Sequence, residues 1–386
     1  MKKITVGLFI DTYYPIIDGV INVVDNYARR LGKYGDVIVF CPENREKFDD
    51  STLPYKVVRC KSVPVPTIDY SLPLPDLDRA FIKIVKGYDL DIVHIHSPFT
   101  LGKLALRYAR KHNIPCVGTM HSQFEQDFKR AFKSKRIAKK VNDRFVIDVF
   151  NECDECWAVN SEVARIFYED YGYKCMPKVM NNATDMFPVD EHDAYEYVNK
   201  KHNIKENEHV FLFVGRINKL KNIFFLADAL KELNGKLDYK CLFLGTGQDE
   251  DEFKEYVKDN ENIIMVGKVS DRDALAKYYR RAELFLFPSL YDASSLVQVE
   301  AASQSTPTVF LEGAATASNV TNGVNGIIAK NDIKEYAKCI IDTIKDEKKY
   351  KELCKNAYKD LYVNWDQKVE EAVNEYHRLI NEKNKH

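Results

Sequence analysis

Ala282 to Pro307 reads AELFLFPSLYDASSLVQVEAASQSTP, and the division of this stretch decides the fold. An unbroken apolar run, Leu284 to Phe287, stops at Pro288 and Ser289, which predicts a buried strand running into a loop. Beyond a short polar turn, Leu296, Val297, Val299, Ala301 and Ala302 recur at helical spacing. Ser294 and Ser295 stand where that helix is N-capped, so free N–H groups and the positive end of the helix dipole point at the mouth of the sheet. Such a terminus suits an anion. Asp292 and Glu300 bracket the turn, and a carboxylate one to two turns into a helix can accept hydrogen bonds from a vicinal diol such as a ribose. The same residues also describe an ordinary capped helix with surface acids, and the stretch alone does not separate the two.

Outward from this point, the chain repeats the strand-then-helix pattern in both directions. Strands are expected at Ile4 to Ile10, Asp36 to Cys41, Asp91 to His96, Cys116 to Met120, Glu155 to Val159, Val210 to Val214, Cys241 to Leu244, Thr308 to Leu311 and Ile327 to Ala329. Helices are expected between them, among them one capped by Ser161 and one capped by Asn222. The Pro-rich segment Val63 to Pro75 cannot be a central strand or a helix. At 386 residues the chain exceeds what one core fills. The predicted fold is α/β, with two doubly wound parallel-sheet, Rossmann-like domains at 1–183 and 184–365 facing across a cleft. A last helix within 366–386 is expected to return toward the first domain.

Composition narrows the function. Fifty-seven basic residues against 58 acidic ones leave a net charge of −1, so no global field draws the chain to nucleic acid. No apolar run approaches the length of a membrane span, and Met1-Lys2-Lys3 leads into a strand, not into a signal peptide. Nine scattered cysteines fit reduced thiols in a cytoplasmic protein. Cys153 and Cys156 form a C-x-x-C pair without a second pair, which favours a half-buried helix end over a zinc or redox site. Local charge is less even. Lys129, Arg130, Lys133, Lys135, Arg136, Lys139 and Lys140 form a run without an acid, and Phe128, Phe132, Ala138, Val141 and Phe145 recur near helical spacing. Residues 128–145 therefore suit either an anionic membrane surface or a solvated face over a packed stripe.

Several residues stand where parallel sheets place ligand contacts. His121 follows the strand Cys116 to Met120, and Gly19 closes the loop after the first strand, where a glycine permits close backbone approach. Arg216 and Lys221 share one βα loop, and two cations of different reach suit a diphosphate. Gly245-Thr246-Gly247 lacks the third glycine of a dinucleotide fingerprint. Asp89-Leu90-Asp91 has a D-x-D spacing but opens a strand. Each of these also has an ordinary structural reading: core histidine, turn glycine, solvated loop cations.

In order along the chain, these elements resemble the motifs of the retaining nucleotide-sugar glycosyltransferases of the GT-B fold, family four. D-T-Y-x-P-x-x-D-G-V at Asp11 to Val20 looks like the family's N-terminal loop, G-T-M-H-S like its T-x-H element, and G-R-x-x-x-x-K-N at Gly215 to Asn222 like its pyrophosphate loop. Asp292 to Glu300 looks like its E-G-F-G-L-V-x-x-E signature, with Asp for the first Glu, Ala for one Gly and Ser for the other. The crossover Lys178 to Asp185 matches in part. The resemblance implies a retaining hexosyltransferase, acting in glycan or glycolipid synthesis, that uses a nucleotide-diphosphate sugar, UDP-linked, as co-substrate, with no cofactor and no metal. It places Gly19, Arg216, Lys221, Ser294, Ser295, Leu296 and Glu300 on the donor, with His121 and Asp292 positioning the sugar. It further implies a lipid or glycan acceptor, and a cytoplasmic protein peripheral on the inner face of the membrane. Two rivals share the signals: a sugar-nucleotide epimerase of similar build, and a non-catalytic partner subunit with a degenerate donor site.

Overall fold

The computed structural model of the protein describes residues 2–16, 18–64, 71–121, 134–290, 292 and 296–385. Two units divide the chain, Met1–Asn182 with Trp365–His386, and Ala183–Asn364.

Unit 1 is built on β1 (Ile4–Phe9), β2 (Gly35–Pro42), β3 (Lys56–Cys60), the short β4 (Ser62–Pro64) and β5 (Ser71–Pro73), then β6 (Ile92–Ile95), β7 (Cys116–Met120), β8 (Glu155–Ala158) and β9 (Lys178–Val179). Its seven-stranded sheet runs β3-β2-β1-β6-β7-β8-β9, every pairing parallel. The chain winds outward from β1 to β3 and then starts again on the other side with β6. The order therefore reverses between β1 and β6, which is where open α/β sheets bind ligands. Among the described residues, β4 and β5 pair only with each other, antiparallel, outside that sheet, in keeping with the prolines of this segment.

Unit 2 repeats the scheme. β10 (His209–Val214), β11 (Tyr239–Leu244), β12 (Ile263–Gly267), β13 (Leu284–Phe287), β14 (Thr308–Leu311) and β15 (Ile327–Ala329) lie in the order β12-β11-β10-β13-β14-β15, all parallel, with the reversal between β10 and β13. Phe211, Phe213, Leu284 and Leu286 pack into the core on one face, Val210, Leu212, Phe285 and Phe287 into that on the other. Burial on both faces is why these strands are continuous apolar runs in the sequence.

Two expected caps differ. The helix beginning at Ser161 is capped by Asn160, whose Oδ1 accepts from Val163 N at 2.8 Å, since an amide oxygen one residue earlier reaches the free N–H. Asn222 precedes the Ile223–Lys231 helix in left-handed conformation (φ 59°) and its side chain caps nothing there, because Nδ2 donates to Pro288 O at 3.3 Å. The polar stretch from Asp190 holds a helix, Glu191–His202, with Asp190 as its cap. The last helix, Trp365–Lys383, packs in unit 1.

Candidate functional site

At the reversal point of unit 2, the loops after β10, β11 and β12 are joined by backbone hydrogen bonds. Gly215 N donates to Leu244 O (3.0 Å), Ile217 N to Thr246 O (3.1 Å) and Gly245 N to Gly267 O (2.9 Å). Gly245 has φ +132°, and a Cβ there would lie 1.9 Å from Gly215 O. Glycine is thus required for these loops to close up, a steric reason that Gly-Thr-Gly as a sequence string does not reveal.

Lys219–Lys221 makes one 3-10 turn after β10, with Asn218 Oδ1 accepting from Lys221 N at 3.2 Å. That turn carries Lys221 toward the loop after β13, where its Nζ lies 2.5 Å from Asp292 Oδ1. Both side chains are less than one-fifth exposed, at 19% and 18%. Asp292 Oδ2 is buried without a hydrogen-bond partner among the described residues. Asn222 bonded to Pro288, and Ser289 Oγ donating to Leu220 O at 3.5 Å, tie the two loops on either side of this pair. Arg216 is exposed on the first of them. A cation and a carboxylate from opposite sides of the reversal point thus converge. The Ser294 and Ser295 positions lie outside the described residues; Leu296 opens the Leu296–Ser303 helix and is half-buried.

Glu300, one turn into that helix, is buried, and burial pushes its carboxyl above the ordinary range against the pull of Arg272 and Tyr279. Arg272 Nη1 donates to Oε1 at 2.7 Å and Tyr279 OH to Oε2 at 3.2 Å. Arg272 Nη2 also donates to Asp185 Oδ1 at 2.7 Å. Neither Arg272 nor Tyr279 was singled out by the sequence. One signal was available: Arg272 is the first residue of the Arg272–Arg281 helix, a cation at the positive end of the dipole, which calls for a compensating acid.

In unit 1, His121 follows β7 and is 8% exposed; burial pushes its pKa down to about 3, so the ring is neutral. Its Nε2 lies 3.0 Å from Nδ1 of His96, which follows β6 and whose own Nε2 is buried without a partner among the described residues. His94, whose ring is tilted by 35° against that of His96 with centroids 4.0 Å apart, is held by Tyr376 OH (2.6 Å) and Thr119 Oγ1 (2.7 Å). Burial likewise lowers both of these rings. The pair His94-x-His96 at the end of a strand, two rings on one face by the period of two, was a legible signal that went unused. Gly19 begins the Gly19–Leu31 helix behind its cap, Asp18, and a Cβ on it would meet nothing within 4 Å. The glycine is therefore not demanded by packing within the described residues.

Other signals resolve into structure. Asp91 Oδ2 accepts from Thr5 N at 2.7 Å, at the N-terminal end of β6, so the D-x-D belongs to strand pairing. Cys153 and Cys156 are buried free thiols; Cys153 lies 3.8 Å from Cys116, and both thiols are held well above their ordinary pKa, Cys156 chiefly by burial. Of the basic stretch 128–145, residues 128–133 lie outside the described residues. Beyond them a helix, Lys135–Asn142, continues through Asp143–Ile147. Ala138 is buried as expected of the stripe, but Phe145 is 44% exposed and so leaves it, with Ile137 at 51%, among exposed Arg136, Lys139, Lys140 and Arg144. The turn widens to π-helix at 143–147, which rotates Phe145 off the buried face occupied by Val146 and Ile147. No helix among the described residues is long and apolar enough to cross a membrane.

Residues 17–186 match the sequence model of Glycosyltransferase Family 4, and residues 196–360 that of Glycosyl transferases group 1. The chain is 26% identical over 319 residues to an alpha-monoglucosyldiacylglycerol synthase of Streptococcus pneumoniae, covering 79% of this chain and 70% of the relative. It is 25% identical over 368 residues to the enzyme of the same name from Acholeplasma laidlawii, covering 91% of each. Among solved structures, a sucrose-phosphate synthase from Thermosynechococcus elongatus superposes with TM-score 0.78 at 17% identity, over 98% of this chain and all of that one (100%).

Proposed function

The chain belongs to the GT-B-fold glycosyltransferases of family four, and from that premise we propose that it is a retaining transferase moving a hexose from a UDP-linked sugar to a lipid acceptor. The observation that carries the proposal is the meeting of Lys221 and Asp292 at the reversal point of unit 2, in the crevice where parallel sheets take nucleotides.

In this reading Lys221 exchanges its carboxylate partner for the donor diphosphate, and exposed Arg216 forks across two of its oxygens. The C1–oxygen bond to the β-phosphate breaks with its electron pair going to phosphate. Those cations and the N–H groups opening the Leu296–Ser303 helix stabilise the charge that grows there. The acceptor hydroxyl oxygen bonds to C1 from the same face, and its proton passes to the departing phosphate. Asp292 and His121 are assigned to the sugar hydroxyls, His121 as a neutral ring, and Glu300 to the ribose. No metal is required, because two fixed cations serve the leaving group. The relatives are named for an α-linked glucose on diacylglycerol; from an α-linked donor, such a product means retention. A lipid acceptor also suits Ile137 and Phe145 exposed among cations.

Calorimetric titration with UDP, GDP, ADP and their hexose conjugates, followed by transfer of labelled sugar to diacylglycerol in vesicles, tests this. Expected are one nucleotide sugar bound at roughly micromolar strength, a labelled glycolipid, and unchanged turnover in EDTA. A donor converted to its epimer with no acceptor product would establish the epimerase rival. No nucleotide binding at all would leave the non-catalytic subunit.

A further inference from the structure

We infer that Arg272 is a positioning residue for nucleotide recognition: bridging Asp185 and Glu300, it holds the Glu300 carboxylate in place as a two-oxygen acceptor for the ribose diol. This rests on the reading above in which Glu300 receives the ribose.

The geometry is that of a clamp. Arg272 and Tyr279 stand seven positions apart, two turns, on one face of the Arg272–Arg281 helix. One takes Glu300 Oε1 and the other Oε2. The remaining arm of the guanidinium is spent on Asp185 and reaches Thr184 Oγ1 at 3.4 Å, so its planar fork is fixed from the crossover segment at the start of unit 2. Exposure separates the partners: the Glu300 side chain is 10% exposed, while those of Arg272 and Asp185 are each 48% exposed. The acid is thus buried and the base is at the rim, where solvent meets half of it. A cation as the first residue of a helix is opposed by the dipole, and Asp271 and Asp273 beside it already supply the acids that a helix start prefers. Arg272 therefore contributes to Glu300, not to its own helix.

The groups acting on Glu300 are Arg272 and Tyr279 from one helix and Asp185 from the crossover segment. Burial and Asp185 favour the protonated acid; the other two favour the carboxylate. Each ribose hydroxyl must donate, so the diol needs two accepting oxygens, and a protonated carboxyl has turned one of them into a donor. Without Arg272, the balance tips toward the proton. Diol recognition then fails as pH falls and returns as pH rises, whereas in the intact protein it stays level across the same range.

The test compares Kd for UDP and for 2′,3′-dideoxy-UDP by calorimetry, in wild type, Arg272→Met, Arg272→Lys and Asp185→Asn, at about pH 6 and about pH 8. The ratio of the two Kd values isolates the diol. In wild type it is expected to be of order tenfold or more at both pH values. In Arg272→Met it should stay near that value at the higher pH and fall toward one at the lower. Arg272→Lys should restore a level ratio, and Asp185→Asn, which keeps an accepting oxygen for Arg272 but removes the charge that favours the protonated Glu300, should also remain level. A ratio independent of pH in Arg272→Met, or Asp185→Asn behaving as Arg272→Met does, overturns the inference and leaves Arg272 a structural tie. Wild type binding UDP with a ratio of one removes Glu300 from the ribose and the inference with it. Wild type binding neither UDP nor GDP overturns the nucleotide-sugar reading itself, an outcome visible before any variant is made.

Discussion

Lys221 Nζ lies 2.5 Å from Asp292 Oδ1, a contact between two loops whose residues are 71 positions apart in the chain. The cation assigned to the donor phosphate is thus paired with a carboxylate from the neighbouring loop. Binding a diphosphate must therefore break one charge-assisted pair before making another.

The first prediction follows from that competition. Lys221→Ala should weaken nucleotide affinity by about 10- to 100-fold, the worth of a charged hydrogen bond of roughly 1.5–3 kcal/mol. Asp292→Ala should leave nucleotide affinity unchanged or raise it, because Lys221 is freed, while turnover falls through loss of the sugar contact. Calorimetry and initial rates on both variants check this; Asp292→Ala with unchanged turnover removes Asp292 from the site.

Two glycines should behave oppositely. At Gly245, a Cβ would sit 1.9 Å from Gly215 O at φ +132°, so Gly245→Ala should cost about 3 kcal/mol or more and lower the melting temperature of unit 2. At Gly19 there is open space and helical backbone, so Gly19→Ala should leave stability level or raise it by a few tenths of a kcal/mol up to about 1. Its turnover should nonetheless drop by about tenfold or more if a ligand approaches this backbone. Thermal melts beside kinetics separate the two effects.

Stability should depend on pH through the buried imidazoles of unit 1. His94, His96 and His121 are all depressed by burial, His121 to about 3. Below their unfolded value of about 6.5 the unfolded chain binds more protons, so stability falls as pH falls, by about 1.4 kcal/mol per net proton per pH unit. Asp11, buried and raised to about 6, has the opposite sign. Between about pH 6 and 4 its folded form holds the extra proton and offsets one histidine. The melting temperature of unit 1 should thus decline below about pH 6.5, and His96→Asn should flatten the decline. An equal slope in wild type and variant would contradict a buried neutral His96.

Surface binding forms the last prediction. Vesicles containing anionic lipid should bind the protein, with attraction of about 1 kcal/mol per basic residue near the surface, lost in high salt. Ile137→Ser with Phe145→Ser should weaken binding without altering UDP affinity. Sedimentation with vesicles of phosphatidylcholine alone and with added phosphatidylglycerol measures both terms.

What the sequence determined by itself is local and periodic. Apolar runs such as Leu284 to Phe287 are strands because both faces are buried, and their alternation with helices leaves few topologies open, so the ligand edge and the residues on its loops were legible. Family resemblance sharpened that list but added no contacts. Tertiary structure alone decided which polar groups meet. Asp292 pairs with Lys221 because the sheet order reverses between β10 and β13 and sets their loops side by side, Glu300 meets Arg272 and Tyr279 where two helices pack, and His121 meets His96 because β6 and β7 are neighbours in the sheet. Hydrophobic burial has a period that a linear string records. A hydrogen bond between loops depends on where distant strands end, and no spacing along the chain carries that.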